Sequence, residues 1–87
     1  MTEKTYKVIW TKTGIKSLRK LDKEVAKKLT KKIAQFLVNY PYSGKPLYGE
    51  LKGYRRCRYD DYRIIYQIIE EEILISIIKV GHRKEVY

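Results

Sequence analysis

Residues 54–80 of this 87-residue chain, YRRCRYDDYRIIYQIIEEEILISIIKV, are the stretch that most limits what it can fold into. β-Branched and aromatic side chains alternate there with polar ones, and two acidic breaks interrupt the run. The pattern predicts three strands, YRRCRY (54–59), YRIIYQII (62–69) and EILISIIKV (72–80), turned back on one another. A two-residue turn at Asp60-Asp61 sets Tyr59 against Tyr62, Arg58 against Arg63, Cys57 against Ile64 and Arg56 against Ile65. Opposed residues of an antiparallel pair share a face. One face therefore collects Cys57, Tyr59, Tyr62, Ile64, Tyr66 and Ile68 and suits a core. The other collects Tyr54, Arg56, Arg58, Arg63 and Gln67, while Arg55 falls on the core side at a strand end. Opposed arginines repel, so an anion is expected between them; the plainer reading is a solvated sheet face. A second turn at Glu71-Glu72 puts Arg63 opposite Val80. It also delivers His82, Arg83 and Tyr87 of the closing GHRKEVY within a few residues of Arg63.

The first half reads as one strand and two helices. TYKVIW (5–10) alternates and is rich in β-formers. Thr11 or Thr13 caps a helix whose apolar positions are Ile15, Leu18 and Leu21. Asp22 reads as a second N-cap, followed by Val25, Leu29, Ile33, Phe36, Leu37 and Tyr40 at helical spacing. Pro41 stops that helix, because the residue before a proline is pushed out of helical angles. The short link between the helices implies an antiparallel helical hairpin, and PYSGKPLYGELKG (41–53) reads as a loop. The expected fold is α+β: a small, curved, antiparallel-dominated sheet in the order β-α-α-β-β-β, with the helical hairpin on one face. Nothing divides the chain, so residues 1–87 read as one domain.

Composition narrows the function. A hydrophobic content of 44% argues for a folded chain. Twenty Lys and Arg against ten Asp and Glu give a net charge of +10, which favours polyanionic partners: nucleic acid, ribosome, an acidic protein or an anionic surface. Lysines and Arg19 on the outer helix faces read as a solvated surface that also attracts RNA. The lone Cys57 cannot form an internal disulfide, and no apolar run approaches membrane-spanning length. A cytoplasmic protein is the expectation. A single histidine excludes two-histidine cleavage of RNA. The absence of a carboxylate cluster and of a glycine-rich phosphate loop removes support for two-metal hydrolysis and nucleotide hydrolysis. No cofactor or metal is expected. What remains is Arg, Lys, Tyr and one His around a phosphate-sized site. RNA carries its own nucleophile, the 2′-hydroxyl, and fixed guanidinium groups can stabilise the charge its attack creates.

The motif YRIIY (62–66) followed by GHRKEVY (81–87) resembles the C-terminal half of the RelE/ParE toxin superfamily, particularly its RelE-like branch. The first half, W…SLRKL…LTKKIAQFL…P…L, fits the same family's helical hairpin in pattern. The resemblance implies the toxin of a type II toxin–antitoxin pair that cleaves messenger RNA in the ribosomal A site without a metal. It assigns Arg63 to stabilising the charged phosphate, Arg83 to a second catalytic arginine, and Tyr87 to orienting substrate or transferring protons. Arg56 stands where relatives place a basic residue on the preceding strand, and Arg58 is a further phosphate contact. The relatives' lysine pair is not reproduced: Tyr54 and Arg56 occupy those places, and Lys52 substitutes only if the loop shifts. His82 is then the natural alternative acid/base, and reads equally well as a structural histidine at a strand end. The implied partners are a small acidic antitoxin, the ribosome and mRNA, with no membrane; whether the free toxin is a monomer is left open by the sequence. Alternatives left open are a ParE-like toxin acting on DNA gyrase, a non-catalytic RNA-binding domain, and a relative that has lost activity.

Overall fold

The computed structural model of the protein describes residues 5–82. In chain order its elements are β1 (Lys7–Trp10), α1 (Lys12–Arg19), α2 (Lys23–Phe36), β2 (Lys45–Pro46), β3 (Arg55–Tyr59), β4 (Tyr62–Ile69) and β5 (Leu74–His82). Short 3-10 turns lie at Pro41–Ser43, Gly49–Leu51 and Glu70–Glu72. The strands form one sheet in the order β1-β5-β4-β3-β2, antiparallel except for the β1–β5 pair. No helix among the described residues is long and apolar enough to cross a membrane.

The first hairpin follows from its turn. Asp60 adopts φ +57°, a conformation that Asp tolerates better than most residues, and β3 pairs with β4 in the expected register. The second hairpin follows the expected register only in part. From Ile69↔Leu74 to Tyr66↔Ile77 the pairing is the one centred on Glu71-Glu72. Beyond a shift between Ile65 and Tyr66, Ile65 faces Lys79, Ile64 faces Val80 and Arg63 faces Gly81, so the expected Arg63–Val80 pairing is corrected by one residue. Ile78 is the extra residue of this bulge. An unshifted ladder would put Lys79 opposite Ile64, on the core face; the bulge turns Lys79 out and Val80 in. The turn is also longer than two residues. Ile73 closes it in the left-handed region (φ 52°, ψ 51°), which is costly for a β-branched side chain. Its carbonyl is fixed there by the Lys7 N–H at 3.0 Å, just ahead of the β1–β5 ladder.

The core lies between the sheet and α2. Leu29, Ile33 and Leu37, one turn apart, meet Ile64, Tyr66, Ile75, Ile77 and Val80, all essentially without exposure. Burying each such side chain is worth about 1.5–3 kcal/mol. The helix ends at Phe36, earlier than Tyr40, although the Tyr40 N–H still reaches back to Phe36 O (2.9 Å) before Pro41 diverts the chain. Asp22 occupies the N-cap position without a side-chain capping bond. In α1, Thr11 is the cap and Ile15, expected to be apolar-facing, is exposed at 38%.

The face of α1 that meets the sheet is small and polar instead. Thr11, Gly14 and Ser17 recur every three residues and pack on the edge of β5, just where β1 stops covering it. Thr11 Oγ1 donates to Ile77 O (3.1 Å) and accepts the Gly14 N–H (3.0 Å). Ser17 Oγ accepts the Val80 N–H (3.0 Å) and donates to Gly14 O (2.8 Å). A Cβ at Gly14 would lie 2.3 Å from Ile77 O, so only glycine permits this approach.

A second anchor joins the chain's distant parts at Glu70. The Tyr6 hydroxyl donates to Glu70 Oε1 at 2.7 Å, and the Tyr42 hydroxyl donates to the same oxygen. That hydrogen bond, aided by burial and the carboxylate charge, pushes the Tyr6 phenol up to about 12, and raises Tyr42 for the same leading reason.

Two outcomes are expected. Ser17→Ala strands the Val80 N–H and should cost about 1–3 kcal/mol, read as a lower urea midpoint; Gly14→Ala should lower it too. The Tyr6 contribution concerns a raised folded-state pKa, so it is complete below pH 10 and is lost as pH climbs through about 12. Tyr6→Phe should therefore flatten the alkaline limb of the stability profile between those values, while leaving its shape near neutrality unchanged.

Candidate functional site

The β3–β4 register puts Arg56, Arg58 and Arg63 on the side of the hairpin opposite to that of Cys57 and Ile64, with Arg58 and Arg63 directly opposed. On the outer side of β3, Lys45 of β2 is the register partner of Arg56 and so shares its face. All four cations line one cleft of about 400 Å³, together with Phe36, Ser43 and Cys57. No carboxylate is among its described lining residues. Arg63 is half-buried, and its Nε is fully buried without a hydrogen-bond partner among the described residues. The fold therefore leaves this donor unused, which is rare for a buried polar atom.

Arg55 does the opposite job. It points to the core side, as expected, where its Nη1 donates to Gly44 O (2.6 Å) and Tyr42 O (3.4 Å). Its guanidinium also lies 4.8 Å from the centre of the Tyr42 ring. From within the core, Tyr66 adds a second tie: its hydroxyl donates to Pro41 O (2.7 Å) and accepts the Gly44 N–H (3.1 Å). A Cβ at Gly44 would meet the Tyr66 hydroxyl at 2.5 Å. These bonds strap residues 41–46 to the sheet edge, and the strap is what carries Ser43 and Lys45 to the cleft.

The other expected site residues are distributed as follows. Tyr54 precedes β3, half-buried, with its backbone bonded to Leu51 O (3.0 Å) and the Leu47 N–H (2.9 Å); it does not line the cleft. Lys52 is exposed beyond the 3-10 turn at Gly49–Leu51 and does not line it either. His82 is the register partner of Tyr62, one position past the residue opposite Arg63, and so shares the face of Tyr62 rather than that of Arg63. The Tyr62 and His82 rings meet edge to face at 5.7 Å. Arg83 and Tyr87 lie outside the described residues. Cys57 is half-buried, and burial pushes its thiol up to about 11, so it stays protonated at neutral pH and is no nucleophile.

Lys45, Ser43 and Phe36 are lining residues that sequence reasoning missed. Lys45 sits in a Gly/Pro-rich stretch where nothing separates it from the other lysines. Chemically, three planar guanidinium forks and one ammonium converging without a carboxylate can grip a phosphate and stabilise extra charge on its oxygens.

Comparison with known proteins agrees over nearly the whole chain. The profile of the ParE toxin of type II toxin–antitoxin systems (parDE) matches residues 8–87. The mRNA interferase toxin RelE of Escherichia coli (strain K12) is 34% identical over 77 residues, covering 85% of this chain and 81% of that protein. Toxin RelE of Mycobacterium tuberculosis (strain ATCC 25618 / H37Rv) is 31% identical over 83 residues, covering 94% and 86%. Among solved structures, a chain of the toxin–antitoxin complex RelBE2 from Mycobacterium tuberculosis aligns with a TM-score of 0.85 at 31% identity, over 91% of this chain and 92% of that one. Two helices on a five-strand mixed sheet are thus the architecture of RelE toxins, and the chain belongs to the ParE toxin family of type II toxin–antitoxin systems, within its RelE-like branch.

Proposed function

We propose that this toxin is an endoribonuclease that cuts messenger RNA in the ribosomal A site, without a metal, and so stops translation. The observation that carries the reading is the cleft in which Arg56, Arg58, Arg63 and Lys45 converge with no carboxylate among the described residues that line it. In the proposed reaction a 2′-oxygen attacks the adjoining phosphorus and the P–O5′ bond breaks. The 2′-hydroxyl gives up its proton and the departing 5′-oxygen takes one up, leaving a 2′,3′-cyclic phosphate and a 5′-hydroxyl. Arg63 stabilises the phosphoryl oxygens as their charge grows, and Arg58 and Arg56 hold the phosphate and its neighbour. Arg83 and Tyr87, carried over from the resemblance, complete the site as second arginine and substrate-orienting phenol, and His82 is the remaining acid/base candidate. The ribosome supplies the in-line geometry, which can account for much of a barrier.

The same positive field supports an acidic antitoxin as partner. A groove of about 620 Å³ between the helices has Leu18, Leu21, Ala26 and Ala34 among its walls and Arg19, Lys23, Lys27 and Lys31 at its rim. That pattern fits an acidic amphipathic helix. The toxin in the RelBE2 structure is itself bound to an antitoxin. The matched family carries ParE's name, so action on DNA gyrase is the second reading.

A translating extract separates the two. The expected outcome is mRNA cleavage only when ribosomes are present, falling about a hundredfold or more with Arg63→Ala. The same substitution should leave the melting temperature unchanged or slightly higher, since it removes one of two opposed like charges. Intact mRNA with blocked supercoiling would transfer the assignment to gyrase, and unfolding of Arg63→Ala would refute the face on which the site is built.

A further inference from the structure

Phe36 is the chain's one phenylalanine, and it stays out of the core. The buried seam of α2 is Leu29, Ile33 and Leu37; Phe36 stands a position off that seam and remains 39% exposed. Beside it Tyr40 is 60% exposed, the two ring centres 5.3 Å apart and tilted by 38°. Isolated exposed aromatics call for no explanation. This pair is different because of where it lies. Phe36 forms part of an apolar groove of about 250 Å³ against Ile33, Leu37 and Ile64, and also one wall of the cationic cleft. The two spaces meet at Phe36, Cys57 and Arg58, and neither has a carboxylate among its described lining residues.

An exposed ring beside converging cations is the combination that a nucleotide of single-stranded RNA requires, a flat surface for the base and positive charge for the phosphate. We infer that Phe36, flanked by Tyr40, is a base-stacking platform, occupied by an unstacked base of the RNA whose adjoining phosphate lies among Arg56, Arg58 and Arg63. This rests on the ribonuclease reading and extends it, by adding a subsite for the base to one for the phosphate. Stacking tolerates any base, so the platform adds affinity and register rather than sequence preference. The unbroken run from ring to cations favours RNA over the apolar side chain of a protein partner, which would leave the cationic side of the groove unused.

The test is fluorescence anisotropy at low salt with two probes: a short 2′-O-methyl oligonucleotide, which cannot be cleaved, and the same backbone lacking bases. Phe36→Leu keeps an apolar side chain of similar reach and so protects the fold, and Phe36→Trp restores a flat ring. The expected result is about a tenfold loss of affinity for the base-bearing strand with Phe36→Leu, recovery with Phe36→Trp, and no change for the abasic strand. Equal affinity of wild type and Phe36→Leu for the base-bearing strand would overturn the platform. A loss confined to binding of the protein partner would also overturn it and give the groove to that partner. Failure of the phosphate reading looks different: neither strand would bind, or binding would ignore Arg63→Ala.

Discussion

The bulge at Ile78 sets the relation between core and site. Without it, the alternation that buries Ile75 and Ile77 would continue into Lys79 and Gly81. With it, Val80 enters the core, Lys79 turns out, and the position opposite Arg63 goes to Gly81. A glycine there has no side chain to crowd the guanidinium, whereas the unshifted ladder would have offered valine. Bulges disturb the ladder and need support from outside it. Here α1 supplies that support through Thr11 and Ser17, which bond Ile77 O and the Val80 N–H, and through Gly14, which lets the helix come close enough to do so. The small polar stripe on α1 is therefore a condition for the register that sets Gly81 opposite Arg63.

The four arginines of YRRCRYDDYR divide by strand alternation into two kinds of work. Arg55 faces the core side and bonds backbone carbonyls of residues 42 and 44, so its charge is matched by fixed dipoles. Arg56, Arg58 and Arg63 face the other way and are joined by Lys45 across the sheet edge. Opposed arginines on adjacent strands lower stability by something of the order of 1 kcal/mol or less. The buried seam between α2 and the sheet is worth several times that per pair of side chains. A fold with this core can carry the cation cluster, and a negatively charged ligand would relieve the repulsion it contains.

The sequence was most informative where structure is local. Asp60-Asp61 and the alternation on either side of it determine the first hairpin residue by residue, and with it the face shared by Arg56, Arg58 and Arg63. The helical hairpin is equally readable from spacing. Legibility fails where distant groups decide. Counting from the second turn gives the inner half of the β4–β5 register, but the bulge answers to the cost of burying Lys79 and to hydroxyl groups more than sixty residues earlier. β2 is two residues long and contains a proline, so it has no periodicity to detect; its place depends on Tyr66 and Arg55. Phe36 fits the apolar spacing of α2 and was expected in the core. It is displaced because Leu37, one position on, completes the seam with Leu29 and Ile33.

These dependencies separate the residues that hold the site from those that act in it. Tyr66 is wholly buried, yet its hydroxyl holds the strap bearing Ser43 and Lys45, so a change there acts on packing and on the cleft together. Arg63 is not among the residues of the core cluster or those packed against it, so a change there is expected to act on the cleft. Lys45 stands between these cases: its position comes from the strap, and its charge belongs to the cleft. The cation cluster thus owes its geometry to groups outside it: a phenol, two glycines, two hydroxyls and the Arg55 guanidinium. Altering charge on the outer face can tune what the cleft attracts while leaving that framework in place.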